Sequence, residues 1–159
     1  MGKTWRLRRA VAADGARIGE LFSEMLDAVG YVGRSCGYEP GYLERFFADD
    51  HDFILVAESE GEVVAYLSVE EHSEEGAYFY LDDFCVTEAY RAKGIGSALL
   101  AAAIGEAEKR GIGRICLHVE KSNADARRFY ERFGFRAAEE QGTRVLMTLL
   151  RPLASAAGM

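Results

Sequence analysis

The stretch from Phe53 to Val86 constrains the fold most. Three runs, "FILVAE", "EVVAYLSVEEH" and "AYFYLDDFCV", are rich in β-branched and aromatic residues, and only "SEG" and "SEEG" separate them. Apolar runs joined by turns this short read as consecutive antiparallel strands, a meander. After Val86 the order changes to helix, strand, helix, strand. Ile95, Leu99, Ala102 and Ala103 line one face of a helix that runs to about Arg110, where Gly111 and Gly113 end it. "RICLHV" reads as a buried strand, "NADARRFYERFG" as a helix capped by Ser122 or Asn123 and stopped at Gly134, and "RVLMTLL" as a last strand. A strand–helix–strand passage after a meander requires a parallel pair inside an otherwise antiparallel sheet, an α+β class.

Ahead of the meander, "TWRLRRAV" alternates apolar and basic residues as a first strand. Asp14 suits a helix N-cap before Ile18, Leu21, Phe22, Met25, Leu26 and Val29, which recur three and four apart. "GYVGRSCGYEPG" breaks that period as a loop, and Pro40 suits the first turn of a short helix carrying Tyr42, Leu43, Phe46 and Phe47. The chain has 159 residues, enough for one well-buried core, so residues 1–152 are expected to form a single domain with residues 153–159 as a short fraying tail.

Composition excludes several classes. A net charge of −7 argues against a nucleic-acid-binding surface, whose affinity rests on Lys and Arg neutralising phosphates. Cys36, Cys85 and Cys116 are far apart, with neither a disulfide framework nor metal-ligand spacing. No apolar run approaches membrane-spanning length, and "MGKTWRLRRA" leads into no signal-peptide core; Gly2 lacks the Ser or Thr at residue 6 that acylation wants. The expected setting is cytoplasmic, with no membrane, nucleic acid or metal partner.

The stretch "RAKGIGSALL" carries the chemistry. Gly94 and Gly96 do not complete a dinucleotide fingerprint, since Leu99 stands where a third glycine belongs, and no Gly-Lys-Ser/Thr follows for a nucleotide P-loop. A strand ending at Val86, a basic turn with Arg91 and Lys93, and a helix opening at the glycines still place unpaired backbone amides at the positive end of a helix dipole. That arrangement suits a diphosphate; its plain alternative is a tight strand-to-helix turn.

"LDDFCVTEAYRAKGIGSALL" resembles the acetyl-CoA motif of the GNAT superfamily of N-acetyltransferases, Arg/Gln-x-x-Gly-x-Gly/Ala, with Arg91, Gly94 and Gly96 in its three places. "HVEKSNADARRFYERFGF" is similar to the family's following segment, with Asn123, Tyr130 and Gly134–Phe135 in register. The proline that such families often carry after the strand is replaced here by "TEAYR". The resemblance implies a three-layer α/β/α fold whose mixed, mostly antiparallel central sheet is splayed at the acetyl-CoA site. It implies a coenzyme A diphosphate held on the amides of Ala92, Lys93, Gly94, Ile95, Gly96 and Ser97, with Arg91 adding charge. It implies a pantetheine arm along Phe84, Cys85 and Val86, with Asn123 and Tyr130 also at the cofactor. Cys85 is expected to be a core or lining thiol, because these transferases work by direct attack.

Acetyl transfer to an amine needs a base for the amine and a proton for the departing thiolate. By the family register Tyr130 supplies that proton; by periodicity alone it is a core aromatic beside Phe129 and Phe133. A phenol of pKa about 10 is protonated at neutral pH, and a thiolate of about 8.5 needs only modest help. Asn123 serves as cofactor contact, helix cap or both. The base is Asp82, on the strand before the glycine motif, or His118, where relatives place a glutamate, or a water chain ending at either. Asp83 points to the opposite face from Asp82. His51 and His72 are assigned no chemistry. The resemblance places the acceptor pocket between about Leu21 and Asp52, with Glu24, Tyr31, Tyr38, Glu39 and Tyr42 as linings. Three readings stay open: an acetyltransferase for a small-molecule amine, one for a protein N-terminus or lysine, and a non-catalytic acyl-CoA-binding module. Homodimers are common in such a family.

Overall fold

The computed structural model describes residues 4–28 and 38–152. Val29, Tyr31, Cys36, most of the expected loop and the tail from residue 153 lie outside the described residues. Among the described residues seven strands form a mixed, mostly antiparallel sheet in the order β1-β2-β3-β4-β5-β7-β6. They are β1 (Arg6–Arg9), β2 (Phe53–Ser59), β3 (Glu62–His72), β4 (Tyr78–Val86), β5 (Arg114–Glu120), β6 (Arg136–Gln141) and β7 (Arg144–Leu150). Four α-helices occur among the described residues: α1 (Gly15–Ala28), α2 (Arg45–Ala48), α3 (Ile95–Lys109) and α4 (Ala124–Arg132). The α+β class is as expected. No helix among the described residues is long and apolar enough to cross a membrane.

The chain's contacts group into two units. In the first, Met1–Val69 with Asp83–Ala103, β1 pairs antiparallel with β2 and β2 with β3. The β2–β3 turn is Glu60 and Gly61, at φ 53° and 78°. Two left-handed residues in a two-residue loop match the right-handed twist of the flanking strands. Ile18 and Leu21 of α1 are fully buried against Phe46, Ile54, Val56, Val63 and Tyr66, with Phe22 and Met25 packed on that core. Each such aliphatic side chain contributes ~1.5–3 kcal/mol on burial.

Asp14 does not cap α1 where the sequence places the cap. A 3-10 turn, Ala12–Asp14, already precedes the helix, and the Asp14 carboxylate reaches back to accept from the Val11 amide at 2.8 Å. It also takes two bonds from Arg8, at 2.8 and 3.0 Å, which fastens β1 to the start of α1. Pro40 lies in the turn before Gly41, whose φ is 84°, and the helical turn begins at Tyr42.

The second unit is Glu70–Asp82 with Ile104–Met159. Here β4 runs parallel to β5 over three register pairs, Phe79↔Ile115 to Leu81↔Leu117. β5 pairs with β7 over its whole length, and β7 with β6. Phe79, Leu81, Ile115, Leu117, Phe135 and Met147 make the core. α3 ends as expected: Gly111 (φ 72°) turns the chain, and the Ile112 amide bonds back to the Ala107 carbonyl at 2.8 Å. β6 is an addition to the expected set. All six of its residues are exposed, so "RAAEEQ" has no apolar alternation to announce a strand.

Candidate active site

Within the first unit, β4 leads to Thr87, a 3-10 turn (Glu88–Tyr90), Arg91 and then α3. The turn is fixed from below. Tyr90 is buried, its hydroxyl donates to Ser59 Oγ at 3.1 Å, and Ser59 Oγ donates to the Thr4 carbonyl at 2.6 Å. Ala92 (φ 61°) and Gly94 (φ 84°) are both left-handed, which curls the backbone ahead of the helix. The first i→i−4 bond of α3 is Ala98 N to Gly94 O, 3.1 Å, so the amides of Ile95, Gly96 and Ser97 have no intrahelical acceptor. They lie at the positive end of a 15-residue helix. A Cβ built on Gly94 meets nothing within 4 Å; the space before the turn is open, and positive φ rather than crowding calls for glycine. Arg91 is exposed and donates from Nε to the Val86 carbonyl at 2.9 Å. Donors, dipole and open space fit a diphosphate.

A cavity of about 140 Å³ lies along the end of β4, lined by Phe84, Cys85, Val86, Thr87, Arg91 and residues of α1. Cys85 is buried, 3.4 Å from the Met25 sulfur, and burial pushes its thiol up to about 12. It is a lining thiol, as expected, and far from being a thiolate nucleophile. Glu24 of α1 accepts from Thr87 Oγ1 at 2.9 Å and from the Glu88 amide at 3.1 Å, holding α1 to the end of β4.

The adjacent aspartates differ. Asp83 is half-buried and accepts from the Tyr38 hydroxyl at 2.6 Å, while its amide donates to Ser68 Oγ at 2.9 Å. Tyr38 is also 2.6 Å from the Tyr66 hydroxyl and stacks on Phe22 and Tyr42; burial raises both phenols well above the ordinary tyrosine value. Asp82 is exposed, one residue past the last β4–β5 register pair.

In the second unit, His118 has both ring nitrogens engaged. Nδ1 is 2.6 Å from the Tyr80 hydroxyl and Nε2 is 2.7 Å from Gln141 Oε1. Tyr130 meets Phe135 and Phe129 edge-on, with ring centroids 5.8 and 5.2 Å away, and burial pushes its hydroxyl up to about 12. Asn123 caps α4, its Oδ1 accepting from the Ala126 amide at 3.1 Å. His51 sits beside Asp49, and His72 lies 2.9 Å from Glu70 and stacks on Tyr78. Among the described residues no group of three His, Cys, Asp or Glu side chains is placed to hold a metal. The sequence reading passed over Tyr80 and Gln141. Tyr80 was findable, since it precedes Asp82 by two on one strand and so shares its face; Gln141 lies on the strand that gave no signal.

The first unit also holds an open cleft of about 870 Å³ between α1 and the Glu39–Phe47 segment. Tyr38, Leu43 and Phe47 line it with five acidic residues, Glu20, Glu24, Asp27, Glu39 and Glu44. Of the expected linings, Glu24, Tyr38 and Glu39 belong to it.

The family model described as "Acetyltransferase (GNAT) family" matches residues 20–135. Two curated relatives are similar over part of the chain. L-ornithine N5-acetyltransferase NATA1 of Arabidopsis thaliana is 40% identical over 62 residues, covering 39% of this chain and 27% of the relative. The [ribosomal protein bS18]-alanine N-acetyltransferase of Escherichia coli is 43% identical over 58 residues, 36% of this chain and 39% of the relative. The chain spans about half or less of the length of the curated relatives it matches. The PaiA N-acetyltransferase of Thermoplasma acidophilum, solved in complex with coenzyme A, superposes with a TM-score of 0.71 over 92% of this chain and 99% of that one, at 17% identity, a likeness of fold.

Proposed function

The chain belongs to the acetyltransferase (GNAT) family, and from that premise we propose that it acetylates a primary amine carried by a small molecule. The donor is acetyl-CoA, which supplies the thioester acyl group. On this reading the amides from Ala92 to Ser97 receive the diphosphate, and Arg91 adds positive charge. Phe84, Cys85 and Val86 line the pantetheine arm, and Asn123 contributes from the α4 cap. A base, Asp82 or His118, frees the amine's lone pair for attack on the acetyl carbon. Tyr130, kept protonated by its burial, returns a proton to the leaving sulfur.

The observation that carries the acceptor class is the cleft of about 870 Å³ with its aromatic wall and five carboxylates. That volume suits a small molecule, and a carboxylate-lined cleft draws a cationic amine. The similarity to an alanine N-acetyltransferase of a ribosomal protein supports a second reading, in which the amine is a protein N-terminus.

One assay separates the readings. Thiol release from acetyl-CoA is followed with spermidine, kanamycin, L-ornithine and L-lysine, and with peptides bearing a free N-terminal alanine or an internal lysine. Fastest turnover with a small amine is expected. Fastest turnover with a peptide transfers the assignment to the protein-directed reading, and tight coenzyme A binding without turnover of any amine sinks both in favour of a binding module.

A further inference from the structure

We propose that Tyr38 selects the acceptor: its ring spaces the two walls of the cleft of about 870 Å³, and its hydroxyl, bonded to Asp83, pins that spacing to β4. The proposal rests on the amine-acetyltransferase reading above. It makes Tyr38 a specificity-determining residue of the cleft and Asp83 a positioning residue behind it.

The spacer is a stack of three rings. Tyr38 lines the cleft and stands directly ahead of the wall that runs from Glu39 to Phe47. Phe22 of α1 stacks on it with centroids 4.1 Å apart and planes 10° from parallel, and Tyr42 of the facing wall stacks at 4.9 Å, also at 10°. Two near-parallel rings this close cannot share one face of a phenol, so Tyr38 lies between them. The pin is a pair of hydroxyls ending on a carboxylate. A carboxylate only accepts, so the Tyr38 hydrogen goes to Asp83 at 2.6 Å. The buried Tyr66 hydroxyl of β3 then donates to the Tyr38 oxygen, also at 2.6 Å. Asp83 is itself fastened to β3, its amide donating to Ser68 Oγ at 2.9 Å. A bond to an ionised group in a half-buried place is among the stronger kinds, and it fixes the phenol along its own plane.

Both walls are tied to one stretch of chain. The α1 wall is held through Glu24, which accepts from Thr87 Oγ1 at 2.9 Å and from the Glu88 amide at 3.1 Å. The facing wall is held through Tyr38 to Asp83. Between those two ties lie Phe84, Cys85 and Val86, which line the smaller cavity, and Glu24 lines both cavities. The strand assigned to the donor's arm therefore also gauges the opening for the acceptor. A cleft held at a fixed width discriminates by bulk. An amine too thick for it must push the stack apart, and one too thin forfeits contacts on one side.

Selectivity, not speed, reads this out. For each amine of the panel kcat/KM is measured, and its dissociation constant is taken by calorimetry on the coenzyme A complex. Tyr38→Phe keeps the spacer and loses the pin. The ratio of kcat/KM between the best and the poorest accepted amine is expected to fall by about 10-fold, through KM more than kcat, and the spread of dissociation constants to narrow with it. Affinity for coenzyme A is expected to hold. Asp83→Ala gives the same profile, and the double variant narrows the ratio no further, because the two act as one unit. A lost fraction of folded enzyme would slow every amine by one common factor and leave the ratio as it was. An unchanged ratio in Tyr38→Phe, or effects that add in the double variant, therefore overturns the role of Tyr38 and leaves the transferase reading standing. Inactivity of the wild type toward every amine overturns that reading and this inference with it.

Discussion

Burial suits Tyr130 to the proton-donor role proposed for it. Its ring meets Phe129 and Phe135 edge-on and burial pushes its hydroxyl up to about 12, so it stays protonated throughout the range in which a thiolate would depart. Tyr130→Phe is expected to lower kcat by ~10–10³-fold with little change in acetyl-CoA affinity. Steady-state turnover paired with calorimetric titration of coenzyme A checks this, and an unchanged kcat removes Tyr130 from the reaction. Candidates of this kind can be named from the sequence because a family register points at single positions. Their surroundings were not. Nothing in "RICLHV" says that His118 gives one nitrogen to Tyr80 and the other to Gln141, since those bonds join three strands. Asp83 was separated from Asp82 by strand alternation alone, but its bond to Tyr38 depends on a segment forty-five residues away.

Elements were legible where burial leaves a period. The hydrophobic runs of β2, β3 and β7 and the stripe of α1 were read from their alternation or their three–four spacing. β6 was missed because all its residues are exposed; hydrogen bonds to β7 hold it, and they leave no trace in side-chain polarity. The start of α1 was misplaced for a related reason. Asp14 has the right side chain for a cap, yet it serves a turn that begins at Ala12 and spends its charge on Arg8. That bond holds the Asp14 carboxyl below its ordinary range. A depressed carboxyl contributes stability that is present above the unfolded value of about 4 and lost as pH falls through the lower folded value. Asp14→Ala should therefore cost about 1–3 kcal/mol at pH 7, through the lost charged bond and the lost Val11 cap. The deficit should narrow toward about pH 2 as the wild type loses the same charge. Urea melts of both proteins at the two pH values measure it, and a pH-independent gap would contradict the ion-pair account.

For the whole molecule, a ligand that binds only the folded chain adds its binding energy to stability. Coenzyme A at 100 times its dissociation constant should add about 2.7 kcal/mol. For a chain of this size that raises Tm by about 5–10 °C. A thermal scan with and without coenzyme A reads the shift, and its absence would deny the cradle its ligand. The hydrogen-bonded chain from Tyr90 through Ser59 to the Thr4 carbonyl carries a different consequence. It makes the first described residue of the protein part of the foundation on which the glycine turn before α3 is built. On the function proposed for that turn, an amino-terminal fusion, processing event or inherited substitution that disturbs Thr4 is a change in appetite for the donor, although it lies some ninety residues from the glycines in the chain.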